Sequence, residues 1–258
     1  MLISKEEIKE YLNSIPPIPQ SVNNCLKYLK QGELKKAALE AQKDIVLKKQ
    51  IELVVNSAMF SLPNKVEDTV QLFTMIGLEM AKNLVYSYLV TLLKPKKWQI
   101  FNINFHDFQA AFMKMYEDFM IYEFGEKTYK KFSEIGAIVP ISVCVCDSLF
   151  GKRKDDVDLI LSSAPLDYAT LLKRMTGLSL FGLAAKIAEI WDLEEEKTKI
   201  LALAECQKCK EKVAALTHVL FFYLTSKKHF MDLNSLIEFN TNAINLIPKT
   251  YERIINDS

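Results

Sequence analysis

Apolar residues recur at helical spacing along most of the chain, and no segment shows the period-two alternation of a half-buried strand. Ser4 is placed to cap a short helix reaching Tyr11. The run Ile15-Pro16-Pro17-Ile18-Pro19 ends it, because consecutive prolines lack donors and favour extended backbone. A helix restarts near Gln20 with Val22, Cys25, Leu26 and Leu29 on one side, and Gly32 breaks it. Residues 34–42 read as a short Ala-rich helix. Asp44 stands where an N-cap belongs, before a helix carrying Ile51, Leu53, Val54, Val55 and Ala58. After a loop at 61–65, the pattern predicts a helix over about 67–76, ended by Gly77, and a mostly buried helix over 78–93 that stops before Pro95.

Downstream, long helices are expected over 105–124 and 126–150. Residues 151–156, Gly-Lys-Arg-Lys-Asp-Asp, form the most polar segment and are expected to be an exposed, mobile loop, with Lys152 and Arg153 as candidates for contact with a partner. Further helices are expected over 167–175, 179–191, 194–225, 232–239 and 242–255. The fold class is therefore all-α, a multi-helix bundle of about a dozen helices. The longest near-apolar runs, 135–146 and 213–225, fall short of the ~20 residues a spanning helix needs, so no membrane insertion is expected. The first residues are a charged helix start and not an apolar leader. The expected compartment is the cytoplasm, with the cysteines reduced.

Composition sharpens this picture in two places. Of the 33 basic residues, only Arg153, Arg174 and Arg253 are arginine, which argues against an enzyme built to grip phosphate. The net charge of +1 gives no general attraction to nucleic acid, and the Lys pairs are scattered among acids; nucleic acid is not an expected partner. The usual chemical signatures are missing: the sequence contains no Gly-x-x-x-x-Gly-Lys-Ser/Thr, no Gly-x-Gly-x-x-Gly and no Gly-x-Ser-x-Gly. Cys144 and Cys146 sit in a strongly apolar segment and read as core. Cys206 and Cys209 form a Cys-x-x-Cys, but neither the strand-helix setting of a redox motif nor a matching second pair accompanies it. The 15 Phe, 10 Tyr and 9 Met supply material equally for a core and for an adaptable interface.

A set of elements in fixed order carries a family resemblance. Ile15-Pro16-Pro17-Ile18-Pro19, Val22 and Leu26, Asp44-Ile45-Val46-Leu47, Val55-Asn56-Ser57-Ala58-Met59-Phe60, Ile76-Gly77-Leu78 and Asn83-Leu84-Val85 together resemble the HDOD family, the HD-related output domains. The resemblance is specific over about 12–93. It continues more weakly through Thr176-Gly177-Leu178-Ser179, Gly182 and Trp191-Asp192-Leu193 to about 205. It implies a domain over 1–205, with 206–258 as a helical extension packed on it. It also implies an HD-like bundle descended from metal-dependent phosphohydrolases, and a regulatory role. Pro16, Pro17, Pro19, Asn56, Ser57 and Gly77 are the residues that match the family pattern; Asn56 and Ser57 are expected to hold the loop that follows them through side-chain to backbone hydrogen bonds.

An HD hydrolase needs several His and Asp ligands, including an adjacent pair, to hold metal ions that activate water. This chain has His106, His218 and His229, and its lone His-Asp dipeptide, His106-Asp107, stands at a helix start. The superfamily's Gly-Leu-Leu-His-Asp-Ile-Gly stretch falls on residues 136–142, which puts Val139 and Pro140 at the ligand positions. The expectation is a protein that is not an enzyme, with no catalytic residues, metal or cofactor, acting as a signal-transduction output module through a protein partner. Motility or virulence regulation is the circuit the family suggests. The alternative is a divergent HD-type metal-dependent nucleotide phosphodiesterase.

Overall fold

The computed structural model describes residues 3–56, 64–101, 104–163, 166–205, 210–233 and 242–257, with backbone only at 228 and 229. Among them the chain is helical throughout and forms no β-strand. It divides into two compact units: residues 16–92, and residues 1–15 together with 93–258. The expected boundary at 205/206 lies inside the second of these.

In the smaller unit, α2 (Gln20–Lys30), α3 (Leu34–Ala41), α4 (Ile45–Val55) and α5 (Thr69–Thr91) pack around buried Val22, Leu29, Ala37, Leu47, Ile51, Phe73 and Leu84. Asp44 caps α4 as its position predicts: one oxygen accepts from the amides of Val46 (3.0 Å) and Leu47 (2.9 Å), and the other accepts from the Tyr88 hydroxyl (2.9 Å). The cap thereby ties α4 to α5. Burial, and then the Asp44 carboxylate beside it, push the Tyr88 hydroxyl up to about 12.

The expected stop at Gly77 is found: α5 is two helical segments that meet there across a kink. Residues 69–76 and 78–91 are helical on either side, while Gly77 alone adopts φ 73°, ψ 177°. That region of backbone space is essentially closed to residues with a side chain. The kink places Leu72 and Phe73 before it and Ala81, Leu84 and Val85 after it in buried positions.

The larger unit holds α1 (Lys5–Asn13), α6 (Phe105–Phe124), α7 (Glu126–Ile138), α8 (Ile141–Phe150), α9 (Lys154–Ser163), α10 (Tyr168–Thr176), α11 (Leu180–Ile190), α12 (Glu195–Leu203), α13 (Lys212–Thr225), α14 (Lys227–Met231), α15 (Asn242–Leu246) and α16 (Pro248–Asn256). Ser4 and Glu7 form a reciprocal capping box on α1. Trp191, Phe105, Phe112, Phe150 and Phe181 are wholly buried. At Gly136 the helices α6 and α7 meet so closely that a Cβ would lie 2.7 Å from the Tyr116 ring. The last helix docks on α6: the Arg253 guanidinium lies over Phe119 (5.2 Å) and Tyr122 (4.5 Å), and the Thr250 hydroxyl donates to Glu123 (2.7 Å).

Three expected long helices are split. The stretch 126–150 breaks at Val139-Pro140, because Pro140 has no amide to continue the ladder and its geometry starts a new helix instead. The stretch 242–255 breaks at Ile247 for the same reason, with Pro248 in the first turn of α16. The stretch 194–225 becomes α12 and α13; Cys206 and Cys209 lie between them, outside the described residues, as does most of 232–239. The expected mobile loop at 151–156 is also corrected. Gly151–Arg153 is a 3-10 turn, and Lys154 begins α9, where Asp155 and Asp156 favour the positive end of the helix. Together α7–α9 (126–163) are long and apolar enough to cross a membrane, more than either apolar run alone suggested, yet 89% of the most apolar window is buried in the protein.

Candidate functional site

Val139 and Pro140 are buried, joined head to tail by α7 and α8, and offer no ligand atom. His106 and Asp107 lie on the exposed first turn of α6, where the Asn104 side chain caps the helix by accepting from the His106 amide (3.2 Å). His218 is buried on α13; its Nδ1 donates to the Ala204 carbonyl (2.7 Å), and burial lowers its pKa, keeping the ring neutral. Among the described residues, no group of three or more His, Cys, Asp or Glu is placed to hold a metal ion. The donors among the described residues do not fit the metals of an HD hydrolase; the His229 side chain, Cys206 and Cys209 lie outside them. Cys144 and Cys146 are buried, and burial pushes both thiols up, away from the thiolate that nucleophiles and ligands require.

The residues matching the family pattern have structural work. Pro19 precedes the first residue of α2, and Pro16 and Pro17 form the extended entry to it. Asn56 ends α4 and clamps the chain beyond the next loop. Its amide donates to the carbonyls of Val66 (2.8 Å) and Glu52 (2.9 Å), while its Oδ1 accepts from the Val66 amide (2.7 Å). Ser57 lies outside the described residues.

Sequence reasoning missed two buried polar arrangements. Asp147, the lone acid of apolar α8, is buried and accepts through Oδ1 from the amides of Gln99 (3.0 Å), Ile100 (2.7 Å) and Phe101 (3.2 Å), fixing the approach to α6. Its signal was visible: one carboxylate in an otherwise apolar helix has to find donors. Glu134 on α7 pairs with Lys197 on α12 (2.7 Å), the two side chains 2% and 6% exposed. Nothing in the local sequence marks that pair, because its members are 63 residues apart.

Two surface features remain. In the smaller unit, α4 turns Ile45, Val46 and Leu53 outward, 69%, 63% and 76% exposed, with Lys49 between them. In the larger unit, α1 and the α8–turn junction enclose a cleft of about 300 Å³. Ile3 and Leu149 line it as apolar walls, and Tyr11, Ser14 and Ser148 supply hydroxyls. Its charged groups are Glu7 and Glu10 on α1 and Lys152 and Arg153 on the turn. One Arg153 nitrogen donates to both Glu7 oxygens (2.9 Å each), so the expected free surface arginine is in fact held, with its side chain 13% exposed. The Ser4 amide and then the Arg153 guanidinium hold the Glu7 carboxyl below the usual range. Arg153 Nε is buried without a hydrogen-bond partner.

Comparison with solved structures places the architecture. An HDOD domain protein of unknown function from Geobacter sulfurreducens matches with TM-score 0.64 at 13% identity, over 96% of this chain and 94% of that one. A putative metal-dependent phosphohydrolase from Shewanella amazonensis matches with TM-score 0.55 at 14% identity, over 95% and 86%. At such identities the likeness is one of fold: an all-α bundle of the kind shared by HDOD proteins and that phosphohydrolase. In sequence, the HDOD domain model matches residues 15–112 of this chain. No curated protein matches it.

Proposed function

We propose that this protein is a non-catalytic cytoplasmic output module that works by binding another protein. The observation that carries the reading is the outward apolar stripe of α4, inside the region matched to the HDOD domain. Isolated exposed apolar residues are ordinary, but three on one face of one helix, each more than half exposed, suit an interface. Lys49 sits mid-stripe; an antiparallel pairing of two copies would set it against itself, whereas a partner helix with a carboxylate there would pair with it. Support also comes from Val139 and Pro140, whose side chains cannot replace a metal-binding His-Asp pair.

The test is capture of a partner from the source cell by the full chain, compared across two double variants. Val46→Glu with Leu53→Glu should abolish capture in a protein that still melts cooperatively, and His106→Ala with Asp107→Ala should leave it intact. Metal-dependent hydrolysis of a nucleotide by the purified protein, lost in the His106/Asp107 variant, would overturn the reading in favour of a divergent phosphodiesterase.

A further inference from the structure

We infer that the segment leading into α6, Lys94-Pro95-Lys96-Lys97-Trp98, is a docking site for a carboxylate-rich stretch of another polypeptide. It lies in the larger unit and stands independently of the partner-binding role of α4. Elsewhere the lysines are scattered among acids, but here they are not. No Asp or Glu occurs between Glu79 and Asp107, while Lys94, Lys96 and Lys97 fall almost side by side.

The three ammonium groups are uncompensated. All three side chains are exposed, and among the described residues none of them forms an ion pair. Exposed Lys36, Lys130 and Lys199, by contrast, are each held by a glutamate three or four residues away. Asp147, which packs against the same segment, is buried, and its Oδ1 is taken by the amides of Gln99, Ile100 and Phe101. Three residues of chain span at most about 10 Å. That is close to the screening length of about 10 Å at 0.1 M salt, so the three charges act on a ligand together. The backbone they stand on is also fixed. Residues 94–101 are non-helical, anchored by Asp147 and by the stacking of Trp98 on Phe105 (5.7 Å), so a partner meets a preformed surface.

The chemistry of the segment selects among anions. Phosphate recognition favours the arginine fork, and the segment holds no arginine. Single-stranded nucleic acid needs an open aromatic face for its bases, and a lipid surface needs an apolar side chain free to insert. Trp98 offers neither: its ring is half-buried and Phe105 covers one face. Phe101, the next aromatic residue, is buried. What the segment presents is a row of hydrated point charges on a fixed backbone, which suits the carboxylates of an acidic peptide.

The experiment is fluorescence anisotropy of labelled hexaglutamate titrated with the full chain at low ionic strength. Saturable binding is expected, weakening steeply as salt is added. Lys94→Gln with Lys96→Gln and Lys97→Gln should weaken it by about tenfold or more. Lys27→Gln with Lys35→Gln and Lys114→Gln removes the same total charge from exposed positions elsewhere and should leave binding nearly unchanged. All six side chains are exposed, and circular dichroism checks that both variants keep the wild-type fold. Absence of hexaglutamate binding at about millimolar concentration overturns the proposal. So does an equal loss in the two triple variants, which would make the attraction one of net charge alone, or no loss in the first. Tighter binding of oligothymidylate or of phosphatidylserine vesicles through the same three lysines would overturn it too, in favour of a nucleic-acid or a lipid surface.

Discussion

Gly77 shows how one residue can set the course of a long helix. Its φ of 73° and ψ of 177° are open to glycine, while the space around it is empty, with no atom within 4 Å of where a Cβ would sit. The barrier to substitution is therefore in the backbone and not in crowding. Gly77→Val should cost about 1–3 kcal/mol through strain alone. An unchanged melting temperature would show that the kink is dispensable. Asn56 works through hydrogen bonds instead, spanning ten residues of chain to hold Val66 at both its amide and its carbonyl. Asn56→Ala should cost about 1–3 kcal/mol in urea unfolding, because the Val66 groups lose their partner. Asn56→Asp should not rescue it: a carboxylate can accept from the Val66 amide but cannot donate to the carbonyls of Val66 and Glu52. Equal stability of the Asp variant would refute that account.

At the level of elements, the docking of α16 rests on a cation held between two rings. Arg253→Ala should leave the core intact but expose residues near 247 to limited proteolysis, with a loss of about 0.5–2 kcal/mol, while Arg253→Lys should retain part of the contact. Identical cleavage rates in wild type and Ala variant would exclude the mechanism. Elements also show where sequence reasoning succeeds. Helices α2 to α4 were legible because Pro19, Gly32 and Asp44 punctuate them locally and their apolar positions keep one face. The breaks at Pro140 and Pro248 were legible in principle but lost in strongly apolar surroundings, where hydrophobic pattern outweighed the missing amide. Helix α9 was hidden by its charged first turn, which reads as loop until Val157 is seen to be buried. Among the candidate site residues, the positions of His106 and Asp107 followed from the capping pattern around Asn104. The contact of Arg153 with Glu7 did not, since nothing local in sequence brings together residues 146 apart.

For the molecule as a whole, buried His218 links folding to pH. Burial lowers its pKa below the unfolded value of about 6.5, so the unfolded chain takes up the proton first. Its contribution is full above that value and declines as the pH falls below it. Glu7, held low by Ser4 and Arg153, acts in the same sense at more acidic pH. The melting temperature should therefore drop between about pH 7 and 5, and His218→Asn, which keeps a donor for Ala204, should flatten that drop. An identical slope in the variant would show that other groups set it. The division of the chain also bears on how it is made. Residues 16–92 form a continuous stretch of polypeptide, but α1 belongs with residues that follow them, through the Ile3 amide to the Met175 carbonyl (3.0 Å) and Glu7 to Arg153. As the chain leaves the ribosome, the 16–92 stretch is complete while α1 still lacks its counterparts, so a helix made before that stretch finds its place after it.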